Sequence, residues 1–234
     1  MARYLKAWQY SDMIRRDYIV QMIEECIQAL ARIRGLRQEK RWQEAGAAVD
    51  VECEKLAATG AQDLAKLSET ELLARVSQEQ PTHTVRARLF MIVSLLQEAA
   101  EIAAAQDRLA DAREAYLKAL NVLLDVLDED GAGEHPAFVP KVEALVESLA
   151  EAPLPVRTRV LLMQHYESTG QLGKAEDMLY SILDGTANDR ASLELGVAFY
   201  ERVLGLSDST LSAGDLPRAE ALEGLRELKG QIPS

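Results

Sequence analysis

The sequence predicts an all-α fold of antiparallel helix pairs, and three observations carry that prediction. Ala, Leu and Glu dominate while aromatic residues make up only 5% of the 234, a mixture of high helix propensity without the β-branched clusters that mark strands. Apolar residues recur at three- and four-residue steps, the period of one helix face. The 13 glycines are scattered as helix stops rather than gathered into loops. With 48% apolar residues the chain can bury a sizeable core, as one elongated array or two abutting domains.

The elements follow in order. From about Ser11 to Leu36, Ile14, Tyr18, Ile19, Met22, Ile23, Cys26, Ile27, Leu30 and Ile33 keep the helical step. Val20 widens that stripe between Ile19 and Leu30, so this helix is expected to touch more than one neighbour or a second subunit. After Gly35 and the basic turn Arg37 to Arg41, a second helix starts near Trp42 and runs through Ala45, Val49, Cys53 and Leu56 towards Gly60. Counting outward from the turn sets Cys26 level with Cys53. The ordinary role for such a pair is small buried packing residues, the alternative a redox pair. Ser68 and Glu71 form a capping box, flanked by Leu67 and Leu72 as a hydrophobic staple. The short helix they start should end before Gln80-Pro81-Thr82, because proline disfavours helical geometry in the residue before it. That proline marks the candidate boundary between domains 1–80 and 81–234.

Beyond it, helices are expected over about 84–105 and 109–129, then 136–150 after the turn-rich Asp130 to Gly133. Pro153 and Pro155 punctuate next. Helices over about 156–169, 172–184 and 189–204, a small-residue loop from Ser207 to Gly214 and a last helix ending near Gly230 bring the total to about ten. No strand is expected.

A pentapeptide recurs at four of these helix starts: Arg41-Trp-Gln-Glu-Ala45, Arg108-Leu-Ala-Asp-Ala112, Gln171-Leu-Gly-Lys-Ala175 and Asp215-Leu-Pro-Arg-Ala219. Its large residue is expected to tuck into the turn between paired helices, and its alanine to permit close backbone approach. The pattern resembles the second helix of a tetratricopeptide repeat, extended by Tyr116 and Ala119 in one copy and by Leu162, Tyr166 and Gly170 before another. The intervals between the alanines are 67, 63 and 44 residues rather than a regular repeat of about 34, so other segments must interrupt the array. Asp17-Tyr-Ile-Val-Gln-Met-Ile-Glu24 followed by a helical hairpin is also similar to an uncharacterised bacterial family with tetratricopeptide-like folds, which brings no established activity.

The formal net charge of −12 opposes nucleic acid and anionic membrane as partners, since both require a positive field. Residues 1–41 carry 9 Lys and Arg against 5 Asp and Glu, which leaves −16 for the remainder. Two cysteines are too few for a disulfide scaffold. The opening residues lack an apolar signal core, and the longest apolar stretch, Leu89 to Leu96, is about half a membrane span, so a cytoplasmic protein is expected. His83, His135 and His165 show no metal-binding spacing. Glu24, Glu25, Asp128, Glu129 and Asp130 sit on faces expected to be solvated, and neither a phosphate loop nor a nucleophile elbow appears. No catalytic residue, cofactor or metal is nominated, and an enzyme is not the leading expectation.

That leading expectation is a protein or peptide interaction module. The tetratricopeptide resemblance implies that Gln97 and Glu101 in one repeat, and Arg157 and Gln164 in another, line the concave side, unless other helices of the same chain cover it. The family's lysine and asparagine clamp for a terminal carboxylate is absent. The wide stripe within residues 11–36 predicts a homodimer through the N-terminal helices. The alternative is an enzyme or small-ligand binder with a polar-lined pocket between the N-terminal hairpin and the repeats, using Tyr166, His165 and nearby carboxylates. A nucleic-acid surface at Arg32, Arg34, Arg37, Lys40 and Arg41 is opposed by the overall acidity.

Overall fold

The computed structural model describes residues 2–78, 82–128 and 135–232, with side chains over 18–78, 84–128 and 135–232. Among these residues there are helices and no strand. The helices are α1 (Ala2–Gln38), α2 (Trp42–Ala57), α3 (Ala61–Lys66), α4 (Glu69–Ser77), α5 (Thr82–Ala105), α6 (Leu109–Asp128), α7 (Val142–Ser148), α8 (Val156–Ser168), α9 (Leu172–Gly185), α10 (Arg190–Val203), α11 (Asp208–Ala213) and α12 (Arg218–Gln231). They fall into two compact units, residues 1–126 with 134–151 and residues 127–133 with 152–234. The expected junction at Gln80-Pro81, the Asp130 to Gly133 turn and the His83 side chain lie outside the described residues.

In the first unit α1, α2 and α5 pack on one another. Cys26, Leu30 and Ile33 of α1 face Ala45, Val49, Cys53 and Ala57 of α2 and the fully buried run Phe90 to Leu96 of α5. A helix apolar all round belongs at the centre of a core, which accounts for the Leu89 to Leu96 stretch. No described helix is long and apolar enough to cross a membrane. α4 opens on the expected capping box: the Ser68 Oγ accepts the Glu71 N–H at 3.2 Å and Glu71 Oε2 accepts the Ser68 N–H at 2.8 Å.

Four expectations are corrected here. α1 starts at Ala2 rather than near Ser11, giving a helix of 37 residues. α3 is additional, its first N–H held at 2.9 Å by the Asp50 carboxylate. The helix expected over 136–150 shrinks to Val142–Ser148, because Pro136 and Pro140 keep the preceding segment out of helical geometry. The Ser207 to Gly214 loop contains α11, capped by Ser207 Oγ accepting the Thr210 N–H at 3.2 Å.

One turn geometry recurs. Lys40, Asp107, Gly170 and Asp215 all take positive φ, at 59°, 61°, 75° and 59°. After each, an N–H reaches back five residues: Arg41 to Leu36 O, Arg108 to Ala103 O, Gln171 to Tyr166 O and Leu216 to Leu211 O, at 2.8–3.0 Å. This is the left-handed helix ending that satisfies orphan carbonyls. It coincides with the first three pentapeptides and runs one residue later in the fourth. Ala45, Ala112 and Ala175 are accordingly buried, whereas Ala219 is exposed.

The large pentapeptide residue does not always tuck in. Leu172 and Leu216 are buried, but Leu109 is 59% exposed. In the second unit two turns stack: the Gly173 N–H donates to Gly214 O at 2.8 Å. A Cβ on Gly173 would lie 2.8 Å from Asp215 O, and one on Gly214 would lie 2.6 Å from Gly170 O. Only glycine permits that approach, and the stacked turn covers Leu172. Within this unit α8 pairs with α9, and α10 packs on α9 and α12. Arg202 clamps the Glu167 carboxylate with two bonds of 2.8 Å. α11, inserted between α10 and α12, lies within the last interval of 44 residues between the alanines, which exceeds a regular repeat of about 34.

Candidate functional site

The polar face of α5 is the first place where function was expected. Glu98, next to the predicted Gln97, is 1% exposed and cannot stay charged there unpaired. Arg34 Nε donates to Glu98 Oε1 at 2.6 Å, and Arg37 donates to Glu98 Oε2 and also to Glu101 Oε2. The sequence folds this way because Arg34 and Arg37 stand at the end of α1 that lies level with the last turns of α5. Tyr116 of α6 sits within the field of Arg37 and Glu98, its hydroxyl pKa raised chiefly by burial, which the nearby Ser148 hydroxyl opposes.

Of the residues expected to line a groove, Gln97 is half-buried and Glu101 is ion-paired to α1. In the second unit Arg157 and Gln164 stand exposed on α8. The Glu98 cluster was missed by sequence reasoning. Its signal was a carboxylate two residues beyond the longest apolar run, on a helix whose continuous hydrophobicity implies burial on every side, together with an excess of arginines at the end of α1.

Cys26 and Cys53 are both buried free thiols. Burial, then Glu52, pushes the Cys26 pKa up to about 12. Cys53 is raised further by burial and by the charges of Asp50, Glu52 and Cys26. The two thiols are therefore electrostatic neighbours, and neither forms a thiolate at neutral pH.

Other titratable groups have structural partners. His135 Nδ1 lies 3.3 Å from Pro136 O, and its ring centroid is 6.5 Å from that of Phe90. His165 is half-buried beside Tyr166. The buried Lys118 ammonium donates to Leu67 O, fixing the α3–α4 loop on α6. In the second unit the Tyr200 hydroxyl donates to Glu176 Oε1 at 2.5 Å. Burial raises the Glu176 pKa, with that hydrogen bond opposing and Glu220 and Asp177 adding. Among the described residues no group of three or more His, Cys, Asp or Glu is placed to hold a metal ion.

A cavity of about 130 Å³ opens in the first unit between α2, α3, α5 and α6. Gly46, Ala61, Ala65, Ala99, Ala103 and Ala115 line it, together with charged and polar side chains. It lies between the N-terminal hairpin and the next helix pair, and neither Tyr166 nor His165 lines it.

A family model described as a family of unknown function (DUF6483) matches residues 13–232. No curated protein and no solved structure matches the chain.

Proposed function

The chain belongs to DUF6483, a family of unknown function, and we propose that it is a cytoplasmic, tetratricopeptide-like interaction module that holds a protein or peptide partner. The observation that carries this reading is the turn shared by the α1–α2, α5–α6, α8–α9 and α11–α12 connections, with its positive-φ residue and backward-reaching N–H. Repeated helix pairs of this kind stack into extended surfaces used for binding. The partner contacts are Arg157 and Gln164 on α8, and Gln97 and Glu101 on α5 where α1 leaves them accessible. Self-association through residues 11–36 belongs to the same reading, motivated by the half-exposed Tyr18, Val20 and Ile27.

Affinity capture from the native host tests the binding claim. A partner retained by the wild type and lost by the Arg157→Ala/Gln164→Ala variant is expected; retention by both counts against the α8 surface. Light scattering tests the dimer: twice the 25.9 kDa chain mass is expected, and a monomer at micromolar concentration contradicts it. The cavity of the first unit favours a second reading, a small-ligand site within that unit.

A further inference from the structure

We infer that the cavity between α2, α3, α5 and α6 takes a primary ammonium group carried on a short hydrocarbon chain; this rests on the small-ligand reading. Six small residues line the cavity and leave the space between the helices open. The volume of about 130 Å³ is of the order of an engineered cavity that admits benzene, about 150 Å³, so a four-carbon chain fits. The walls offer that chain methyl groups and the flanks of Val49 and Ile102.

The charged part of the lining supplies the sign of the charge. Asp50, Asp111 and Glu114 stand there against the single guanidinium of Arg108. Asp111 is held by Arg108 at 2.8 Å. Asp50 uses Oδ1 for the Ala61 N–H at 2.9 Å and has a second oxygen to offer. Among the described residues Glu114 has no hydrogen bond or ion pair. An ammonium in the cavity meets these two carboxylates, while an anion meets repulsion. The same chemistry arrives either as a free small amine or as the lysine side chain of a partner.

The test titrates n-butylammonium, 1-butanol and Nα-acetyl-lysine methylamide into the full isotope-labelled chain, followed by amide NMR shifts. Butylammonium is expected to shift resonances of the cavity residues with a dissociation constant of the order of millimolar, and butanol to bind more weakly. Glu114→Gln, and separately Asp50→Asn, should weaken butylammonium by about threefold to tenfold without affecting butanol. Ala103→Leu should abolish both while leaving the circular dichroism of the chain unchanged. Tighter binding of the lysine derivative than of butylammonium identifies a protein source, and the reverse a free amine. Equal affinity for butanol and butylammonium overturns the ammonium inference and leaves a small-ligand site standing. No binding of either overturns both.

Discussion

Removing Arg37 and Arg34 in turn tests the electrostatic lock between α1 and α5. Arg37→Ala deletes the bonds to Glu98 and Glu101 but leaves Glu98 paired with Arg34. Glu101, with 30% of its side chain exposed, returns to water at small cost. The single variant should therefore lose about 2 kcal/mol, below the range of about 3–5 kcal/mol for stranding a buried charge. Adding Arg34→Ala strands Glu98 completely and should bring the total into that range, more than the sum of the single effects. Replacing Glu98 by Leu in the double variant should recover most of the loss, since an apolar side chain needs no partner. Urea unfolding followed by tryptophan fluorescence is the assay, because Trp8 and Trp42 both belong to the first unit and report it without the second. A double variant that loses under about 1 kcal/mol, or a leucine that fails to rescue it, would refute the idea that Glu98 is charged, buried and held by these two arginines.

Three further outcomes are expected. In the second unit, Gly224→Ala places a methyl group into the Tyr200 ring and should cost about 1–3 kcal/mol by overpacking. Gly35→Ala, with open space around it, should be neutral or stabilising by up to about 1 kcal/mol; thermal melts that rank the two the other way contradict the packing described. Glu176 has a raised folded pKa, so its contribution to stability is full below the ordinary carboxylate value and fades as pH rises through the folded one. Glu176→Gln, which keeps an acceptor for Tyr200, should thus gain on the wild type between pH 4 and pH 7, and a constant gap in melting temperature across that window removes the basis for it. Both thiols should resist a thiol reagent at pH 8 in the native chain and react fully once it is unfolded; rapid native labelling of Cys53 contradicts its burial.

The helix class was legible because period and composition agree, and local signals such as the Ser68 cap place helix starts, whereas Gly35 sits inside α1, which continues to Gln38. What escaped depends on tertiary context. α3 is short and relies on the Asp50 carboxylate eleven residues earlier. The region 136–150 reads as helix by composition, yet Pro136 and Pro140 defer its start to Val142. The fourth pentapeptide aligns by letters one residue away from its structural register, because Asp215 itself takes the positive φ that Gly170 takes before the third.

The candidate site was less legible. The resemblance points to Gln97 and Glu101 as groove positions, but the identity of the side chains opposite them depends on where α1 packs. The residues that give α5 its most buried charge pairing, Arg34 and Arg37, lie more than 60 positions earlier, and no local pattern links them to Glu98. The cavity is invisible in sequence for the same reason, since its six small residues come from four helices.

The central claim, that the α8 face holds a protein partner, is tested most directly by calorimetric titration of the captured partner into the purified chain. The wild type should bind with a measurable heat and 1:1 stoichiometry per chain, and Arg157→Ala/Gln164→Ala should weaken binding by about tenfold or more. Unchanged affinity in that variant, with its helicity intact, contradicts the claim.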